Sequence, residues 1–461
     1  MKNIIYLDKF DERFVNIIKE FKSIETHFYL TGGAIRDMLN HITPADYDII
    51  TDTPIPLILE FLKQNHQLKI AWIENRINPL IRIDIDQELI LDFSPLKGSL
   101  VDNLNSRDFT VNSLGLNLNE LIDNKKAEIY STSTGLSDAK EKLLNPITKY
   151  SIRNDPLRII RAFRFKLYNN YEFSNMLIND IQKYSYLLNN TKGERIWMEM
   201  SKILIHPNSY KIIKEMIETD VLENIFHDIK KMKAYKHDKP PAETLMEHSL
   251  YTYMKMEDFL NNKGKGIINI NNIYNIPVLK LSGLLHDVGK LYTKRYVTDN
   301  EFHFYNHEIV GSKIAILFAR NNLSLSNILV NYLGMLVKNH MRSHLFTRIE
   351  KLSDHAIYRF IRDCDGHVED AICLSIADAL STNSRITKLA GIAKQINRYI
   401  GIHSKKEIKS LLDGNEIMDI LTIKPSKKIA IIKDELVKMQ IEGKINTKNK
   451  AINFIKRYKK N

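Results

Sequence analysis

The chain has 461 residues, 44% of them hydrophobic, and its 67 Lys and Arg against 55 Asp and Glu give a formal charge of +12 at pH 7. This length favours two to four domains, and the positive charge favours a polyanionic partner such as nucleic acid. Two cysteines, Cys364 and Cys373, exclude a disulfide framework or a zinc ribbon and fit a reducing cytoplasm. Without a run of about eighteen apolar residues or a secretory signal, the chain is expected to be soluble and free of membrane.

Helical and strand patterns mix in the first 120 residues. The spacing predicts a helix near 11–23 and short strands at 28–30, 46–50, 81–85 and 89–93. Beyond residue 136 nearly every periodic segment has helical spacing. We therefore predict an α/β head with a mixed sheet, followed by helical segments.

Breaker-rich or polar segments suggest where the chain divides. They lie at 131–135, 236–241, 261–275 and 381–385. The predicted parts are a head (1–135), a neck (136–225), a body (226–385) and a tail (386–461).

A glycine pair and two aspartates are the main chemical signal of the head. Gly32 and Gly33 stand between a predicted strand and a helix, where backbone without Cβ atoms can approach phosphate oxygens. Strand alternation places Asp46 and Asp48 on one face, about 6.6 Å apart along the strand, which suits shared Mg²⁺ ligation. Asp92 is the candidate third carboxylate. Taken singly, an ordinary turn and a solvated strand face explain these residues equally well.

The segment GGAIRDMLNHITPADYD, beginning at residue 32, resembles the signature of the class II tRNA nucleotidyltransferase and bacterial poly(A) polymerase family. The resemblance implies a polymerase-beta-like head, catalytic roles for the three aspartates, and nucleotide binding by the two glycines and Arg36. SRDFTVN (106–112) is similar to the family's Arg-Arg-Asp segment, with Ser106 in place of the first arginine. It implies that Arg107, Asp108 and Asn112 contact the ribose and triphosphate of the incoming nucleotide; a surface ion pair is the alternative.

The neck begins with RNDPLRIIRAFRF (153–165), in which Leu157, Ile160 and Phe163 mark the buried stripe of a helix. By itself the pattern indicates a helix start at Asp155-Pro156 and a solvated basic face. It also resembles the family's Glu-Asp-x-x-Arg template, which hydrogen-bonds to the incoming base, although Asn154 replaces the glutamate. The resemblance implies nucleotide binding by four residues: Asp155, Arg158, Arg161 and Arg164.

The body carries an adjacent His-Asp pair at the end of an apolar helix, where charged groups need partners. His286 and Asp287 form this pair, with His248 upstream and Asp378 downstream. Four nitrogen and oxygen ligands suit a divalent transition metal or Mg²⁺. The order resembles the HD phosphohydrolase superfamily, which puts His307 and His340 where further ligands or phosphate contacts occur. A lone histidine is more often a satisfied core residue.

The resemblance also implies what the body and tail do. Some bacterial nucleotidyltransferases with an HD domain show 2′,3′-cyclic phosphodiesterase, 2′-nucleotidase and phosphatase activity, and we expect the same here with Ni²⁺, Co²⁺, Mn²⁺ or Mg²⁺. From Leu411 onward the sequence resembles the C-terminal, tRNA-binding helices of these enzymes. A solvated basic loop explains 424–428 equally well.

These features together predict a cytoplasmic CCA-adding enzyme that uses Mg²⁺, ATP and CTP. Its expected partner is the 3′ acceptor end of tRNA, with no stable protein partner. A poly(A) polymerase and a partial enzyme that adds only CC or only A share the same head chemistry and stay open. An HD phosphohydrolase with an RNA-binding head is the alternative from another class.

Overall fold

The computed structural model describes residues 3–24, 26–65, 69–73, 79–85, 88–132, 134–237, 240–298, 302–350, 352–403 and 410–458. The chain forms two compact units. The first consists of Met1–Thr191 with Glu215–Ile225, and the second of Lys192–Lys214 with Phe226–Asn461. The finer division into four parts stays a prediction. Among the described residues, no helix is both long and apolar enough to cross a membrane.

The first unit contains an eight-stranded mixed sheet. Its strands are β1 (Ile4–Tyr6), β2 (Phe28–Thr31), β3 (Asp46–Thr51), β4 (Lys69–Ile73), β5 (Leu80–Ile85), β6 (Leu89–Pro95), β7 (Leu114–Asn117) and β8 (Lys126–Ser131). The spatial order is β1-β8-β7-β2-β3-β6-β5-β4. Among the described strands of this sheet, β3 and β6 form the only parallel pair, which brings two predicted aspartate positions into register.

Six helices accompany the sheet. They are α1 (Glu12–Glu20), α2 (Gly33–Leu39), α3 (Ile55–Asn65), α4 (Leu100–Asn105), α5 (Leu118–Asn124) and α6 (Gly135–Glu141), and a 3₁₀ turn covers Thr110–Asn112. Asp11 caps α1 by accepting a hydrogen bond from the Arg13 amide. The helix expected near 11–23 is confirmed, with its last turn in 3₁₀ form.

The segment that follows is helical except for one short parallel strand pair. Its elements are β9 (Leu143–Leu144), α7 (Ser151–Asn154), α8 (Leu157–Asn169), β10 (Glu172–Phe173), α9 (Asn175–Tyr184), α10 (Gly193–Ile205) and α11 (Tyr210–Glu218). Leu157, Ile160 and Phe163 are buried along α8, which confirms the predicted stripe. Pro156 occupies the N-cap, so α8 begins at the predicted Asp155-Pro156 start.

In the described residues of the second unit, the named elements are helices apart from one hairpin that the sequence pattern did not indicate. Its elements up to residue 403 are α12 (Asp228–Ala234), α13 (Leu245–Asn261), α14 (Ile276–Leu285), α15 (Lys290–Thr293), β11 (Lys294–Tyr296), β12 (Phe302–Phe304), α16 (His307–Asn321), α17 (Asn327–Phe346), α18 (Asp354–Asp363), α19 (Val368–Ser381) and α20 (Thr387–His403). Helix α14 is buried along its whole length, because it packs against α10, α13, α17 and α19. The predicted fold class, a mixed-sheet head followed by helices, is confirmed.

The tail has a hydrophobic core of its own, built by α21 (Gly414–Leu421), α22 (Lys427–Ile441) and α23 (Lys448–Arg457). Ile417, Leu436 and Ile455 are fully buried in it. Asp434 on α22 pairs with Arg362 of α18 at 2.7 Å, which ties this core to the rest of the second unit.

Candidate functional sites

Strand β3 presents two carboxylates on the face opposite the core. Tyr47, between them, is buried and stacks on Phe14 with ring centroids 4.2 Å apart. Asp46 and Asp48 therefore point to the other side, as the alternation predicts. In the parallel pairing with β6, Asp48 lies directly beside Asp92. The three predicted catalytic carboxylates thus share one region of the sheet.

Gly32 lets the β2–α2 connection approach these carboxylates. Its φ is +78°, a conformation that favours glycine. A Cβ atom there would lie 3.4 Å from Asp48 Oδ2 and 3.5 Å from Arg107 Nη1. A side chain at this position would fill the space beside the carboxylates that a phosphate needs.

Arg107 provides the cation of this site. Its Nη2 donates to Thr31 Oγ1 at 2.6 Å, and its Nη1 lies 3.8 Å from Asp48 Oδ2. Partial shielding from water raises the pKa of Asp48; Arg107 opposes this shift, and the Asp92 and Asp46 carboxylates add to it. Mutual repulsion of this kind is relieved by a divalent cation, so the oxygen-only donor set fits Mg²⁺.

Asp92 is already engaged by a cation. Arg82, opposite it on β5, donates from Nε to Oδ1 at 2.8 Å and from Nη2 to Oδ2 at 2.6 Å. Such a bidentate pair fixes the orientation of the carboxylate and compensates its charge. The sequence reasoning missed Arg82, although its place on the strand before Asp92 is a readable signal.

Several predicted nucleotide-binding residues contact one another. Arg161 donates to Asp108 Oδ2 from Nε and Nη2, at 2.9 and 2.7 Å. Asn112 Nδ2 donates to the other Asp108 oxygen at 2.8 Å, and Arg36 Nη1 donates to Asn112 Oδ1 at 2.6 Å. Burial alone would raise the pKa of Asp108, but Arg161 and these hydrogen bonds lower it. The network braces α2, the 3₁₀ turn and α8, and a role in nucleotide binding stays a prediction.

The predicted base-selecting residues lie at the start of α8. Asp155 has extended backbone between α7 and α8. Arg158 Nη2 donates to the carbonyl of Ser106 at 3.1 Å, while Arg164 lies 4.8 Å from the Phe165 ring centroid. All three arginines of α8 are half-buried rather than fully solvated. Arg158 thus links the start of α8 to the residue preceding Arg107, and base selection by this segment stays a prediction.

The second unit gathers the predicted HD ligands from several helices. His248 lies on α13, His286 and Asp287 follow α14, and Asp378 lies on α19; His307 begins α16, and His340 lies on α17. Gly289 makes room for this assembly, since a Cβ there would lie 2.0 Å from the His307 carbonyl oxygen. The side chains lie close together in the structure, and their role as metal ligands stays a prediction.

Four of these side chains have the spacing of a metal site. His248 Nε2 lies 3.2 Å from His286 Nε2, 3.2 Å from Asp287 Oδ2 and 3.3 Å from Asp378 Oδ1. His286 Nε2 lies 3.3 and 3.7 Å from the same two oxygens. Donors bound at about 2.0–2.2 Å in tetrahedral geometry are roughly 3.3–3.6 Å apart. The observed distances fit one divalent ion.

A second donor group adjoins the first and shares Asp287. Asp287 Oδ1 lies 3.4 Å from His307 Nε2 and 3.6 Å from His340 Nε2. These three atoms are buried and lack hydrogen-bond partners. Unpaired buried donors and acceptors are costly, so three that converge on one point indicate a ligand there.

Backbone carbonyls orient the histidine rings. Because a carbonyl only accepts, the Nδ1 of each such ring carries the proton and the Nε2 lone pair faces the cluster. The contacts run to the residue three positions earlier: His286 to Gly283 at 3.0 Å, His307 to Phe304 at 3.0 Å and His340 to Val337 at 2.7 Å. This is the arrangement that holds imidazole ready for a metal.

The carboxylates of the cluster favour positive charge beside them. Burial opposes protonation of His286, but Asp287 and Asp378 outweigh it and raise its pKa to about 10. Burial would raise the pKa of Asp287, yet Lys290 and His286 hold it well below its usual value. The two carboxylates that converge with the imidazole nitrogens thus favour a positive charge at this point, which a bound divalent ion would supply.

Three further residues at this cluster were missed in the sequence. His237 stacks on His248 with centroids 4.4 Å apart, and His344 Nε2 lies 3.0 Å from Asp378 Oδ2. Lys290 Nζ lies 2.6 Å from Asp287 Oδ2. The spacing of His344, one helical turn after His340, was a usable signal; His237 lies in a segment without periodicity.

Models of three protein families match the chain in succession. The Poly A polymerase head domain matches residues 28–145, the probable RNA and SrmB-binding site of polymerase A matches 170–233, and the HD domain matches 245–383.

Relatives match nearly the whole chain. An A-adding tRNA nucleotidyltransferase from Deinococcus radiodurans is 22% identical over 447 residues, covering 93% of this chain and 95% of the relative. A CC-adding tRNA nucleotidyltransferase from Thermus thermophilus is 22% identical over 444 residues, covering 92% of each. The structure of the Thermotoga maritima CCA-adding enzyme complexed with tRNA is similar in fold, with a TM-score of 0.59 and 17% identity, over 99% of this chain and 100% of that one.

Proposed function

Because this chain belongs to the poly(A) polymerase and tRNA nucleotidyltransferase family, we propose that it adds CCA to the 3′ end of tRNA from CTP and ATP and releases pyrophosphate. The observation that carries the proposal is the placement of Asp46 and Asp48 on one strand face beside Gly32 and Arg107. The similarity to tRNA nucleotidyltransferases along nearly the whole chain supports tRNA as the substrate.

In this proposal each residue of the head has a positional role. Asp46 and Asp48 hold Mg²⁺, which would neutralise the triphosphate charge and align the attacking and leaving oxygens. Arg107 contacts the triphosphate, and Gly32 leaves space for it. Asp155 and Arg158 pair with the incoming base and thereby select C and then A.

The test uses purified protein, Mg²⁺ and tRNA transcripts that end at the discriminator, at C or at CC. Each labelled NTP is supplied alone and together with the others, and the products are sequenced. Ordered addition of C, C and A supports the proposal, whereas long A tails or arrest after CC would assign a poly(A) polymerase or a partial enzyme. An Asp48→Asn variant should add nucleotides about a thousandfold more slowly than the wild type.

A second activity is favoured by the histidine cluster. We propose that the HD centre hydrolyses 2′,3′-cyclic phosphodiesters, 2′-phosphates and phosphomonoesters with Ni²⁺, Co²⁺, Mn²⁺ or Mg²⁺. A bound divalent ion would polarise the phosphoryl group. In this proposal His248, His286, Asp287 and Asp378 would bind one ion, and the unpaired buried atoms of the adjoining group support a second ion beside it.

The second activity is tested by release of product from 2′,3′-cyclic AMP with each metal in turn. Hydrolysis that disappears in His286→Ala would support it. No hydrolysis with any of the four metals would overturn it and leave the cluster a structural metal site.

We also propose that the 3′ acceptor end of tRNA is the physiological partner and that the reaction takes place in the cytoplasm. The excess of twelve positive charges supports a polyanionic partner. A filter-binding titration at rising salt tests this, since binding to phosphates weakens steeply as salt increases.

A further inference from the structure

The hairpin β11–β12 takes no part in the metal cluster, yet it is anchored to it. The hairpin lies between the ligand pair His286-Asp287 and the ligand His307 in the chain. The carbonyl of Phe304, the last residue of β12, accepts the hydrogen bond that orients the His307 ring. The hairpin is therefore held at a fixed position beside the cluster.

One face of the hairpin combines aromatic rings with a cation. The register pairs Tyr296 with Phe302 and Lys294 with Phe304, so the four side chains share a face. Lys294 Nζ lies 3.9 Å from the Phe302 ring centroid and 5.0 Å from that of Tyr296. Tyr296 is nevertheless 67% exposed, the highest value among the exposed large hydrophobic side chains of the described residues.

The other face repeats this composition. Arg295 lies opposite His303, whose ring is 5.6 Å from that of Tyr305. Tyr305 is 55% exposed.

Lys290 connects the hairpin to the cluster, because its Nζ lies 5.5 Å from the Phe304 ring centroid and 2.6 Å from Asp287 Oδ2. Cations and rings thus extend from the metal ligands out to the surface.

Exposed rings interleaved with cations suit a specific kind of ligand. Aromatic faces stack on nucleobases, and lysine and arginine neutralise the phosphates between them. We propose that the hairpin binds the nucleotides preceding the 3′ terminus of an RNA strand whose terminal phosphate is cleaved at the HD centre. A base stacks on Tyr296, and Lys294 and Arg295 contact the backbone. The inference rests on the second proposed activity and names its substrate as an RNA end.

The test compares an RNA end with a mononucleotide. The first substrate is a short single-stranded RNA with a 2′,3′-cyclic phosphate and 2-aminopurine as the penultimate base; the second is 2′,3′-cyclic AMP. Tyr296→Ala should lower kcat/KM for the RNA about fivefold to a hundredfold, through KM, because one stacked base is lost. Hydrolysis of cyclic AMP should be unchanged. Tyr296→Phe, which keeps the ring, should behave like the wild type.

Fluorescence of 2-aminopurine gives a readout that does not depend on hydrolysis. Stacking should quench it in the wild type and in Tyr296→Phe, and Tyr296→Ala should abolish the quenching. Tyr6→Ala removes a tyrosine that is 53% exposed in the first unit, outside the segments that the three family models match, and is the matched control, expected to change nothing. Lys294→Ala should weaken RNA binding and reduce its salt slope by about one.

Three outcomes overturn the inference: wild-type quenching and KM in Tyr296→Ala, equal losses on RNA and cyclic AMP in Tyr296→Ala, or losses in Tyr6→Ala equal to those in Tyr296→Ala. Absence of hydrolysis in the wild type overturns the second proposed activity instead. In that case the fluorescence titration alone still decides whether RNA stacks on the hairpin.

Discussion

The carboxylate site on β3 and the histidine cluster of the second unit differ in how completely the protein alone builds them. Asp46 is exposed, and the Asp48 side chain is 49% exposed. The side chains of His286 and Asp287 are 0% and 3% exposed. One site offers only oxygen donors to solvent, whereas the other encloses nitrogen and oxygen donors.

This difference suits the two chemistries. In the proposed function, the nucleotide triphosphate would complete the open carboxylate site, because Mg²⁺ keeps several waters and accepts substrate phosphates. The imidazole donors, held in place by carbonyls, would bind a transition metal before substrate arrives. Donor type and burial would then separate a cation site that the substrate completes from one that the protein assembles alone.

The largest expected effect concerns metal retention. After dialysis we expect about two equivalents of transition metal per chain at the HD centre, because its donors are enclosed. Asp287→Asn should lose both and slow cyclic AMP hydrolysis about a thousandfold or more, while His307→Ala should retain about one equivalent. Elemental analysis measures this, with the exposed Asp354→Asn as control. Equal metal content in all variants would contradict the assignment of Asp287 and His307 as metal ligands.

Loss of the buried network in the head should cost stability. Asp108→Asn removes the buried negative charge that pairs with Arg161 and should lower the free energy of unfolding by about 3 kcal/mol. Asp123→Asn removes an exposed pair with Lys22 and should cost under about 0.5 kcal/mol. Urea titration measures both. Equal effects would show that the network does not brace the head.

The stability difference between the wild type and Asp108→Asn should also depend on pH. Since folding lowers the pKa of Asp108, its contribution to stability is fully present above the unfolded value of about 4 and is lost as pH falls through the folded value. The stability difference between wild type and Asp108→Asn should therefore shrink in acid. A difference that grows below pH 4 would contradict the assignment.

A smaller change in the rate of nucleotide addition tests the role of Asp92. Arg82→Ala removes both hydrogen bonds that orient this carboxylate and should slow nucleotide addition about tenfold to a hundredfold. Arg82→Lys keeps the positive charge but loses the bidentate hydrogen bonds, so its rate should lie between those of the wild type and Arg82→Ala. Rates at several Mg²⁺ concentrations separate cation binding from turnover. Unchanged rates in both Arg82→Ala and Asp92→Asn would remove Asp92 from the site.

The smallest effect concerns base choice. Asp155→Ala should raise misincorporation about tenfold, since the hydrogen bonds that distinguish C from A are lost. Sequencing of products from a transcript ending at the discriminator measures it. Wild-type fidelity in the variant would show that Asp155 does not select the base.

Features that depend on neighbouring residues in the chain could be predicted from the sequence, whereas features that depend on contacts between distant residues could not. The facing of Asp46 and Asp48 and the buried stripe of α8 follow from local periodicity, and both were predicted. Family resemblance supplied the HD ligands, whose positions span from His248 to Asp378. No local rule gives the distances among them.

Other features depend on contacts that a single sequence does not display. The sharing of Asp287 between two donor groups and the bidentate hold of Arg82 on Asp92 arise from helix packing and strand register. The hairpin β11–β12 was missed because three-residue strands of Lys294–Tyr296 and Phe302–Phe304 are too short for alternation to be read.

The most direct test of two independent sites is to measure Asp48→Asn in both assays, CTP and ATP incorporation into tRNA and hydrolysis of 2′,3′-cyclic AMP. Incorporation should fall about a thousandfold because the Mg²⁺ ligand is lost, while hydrolysis should match the wild type. Incorporation that persists, or a parallel loss of hydrolysis, would contradict the account.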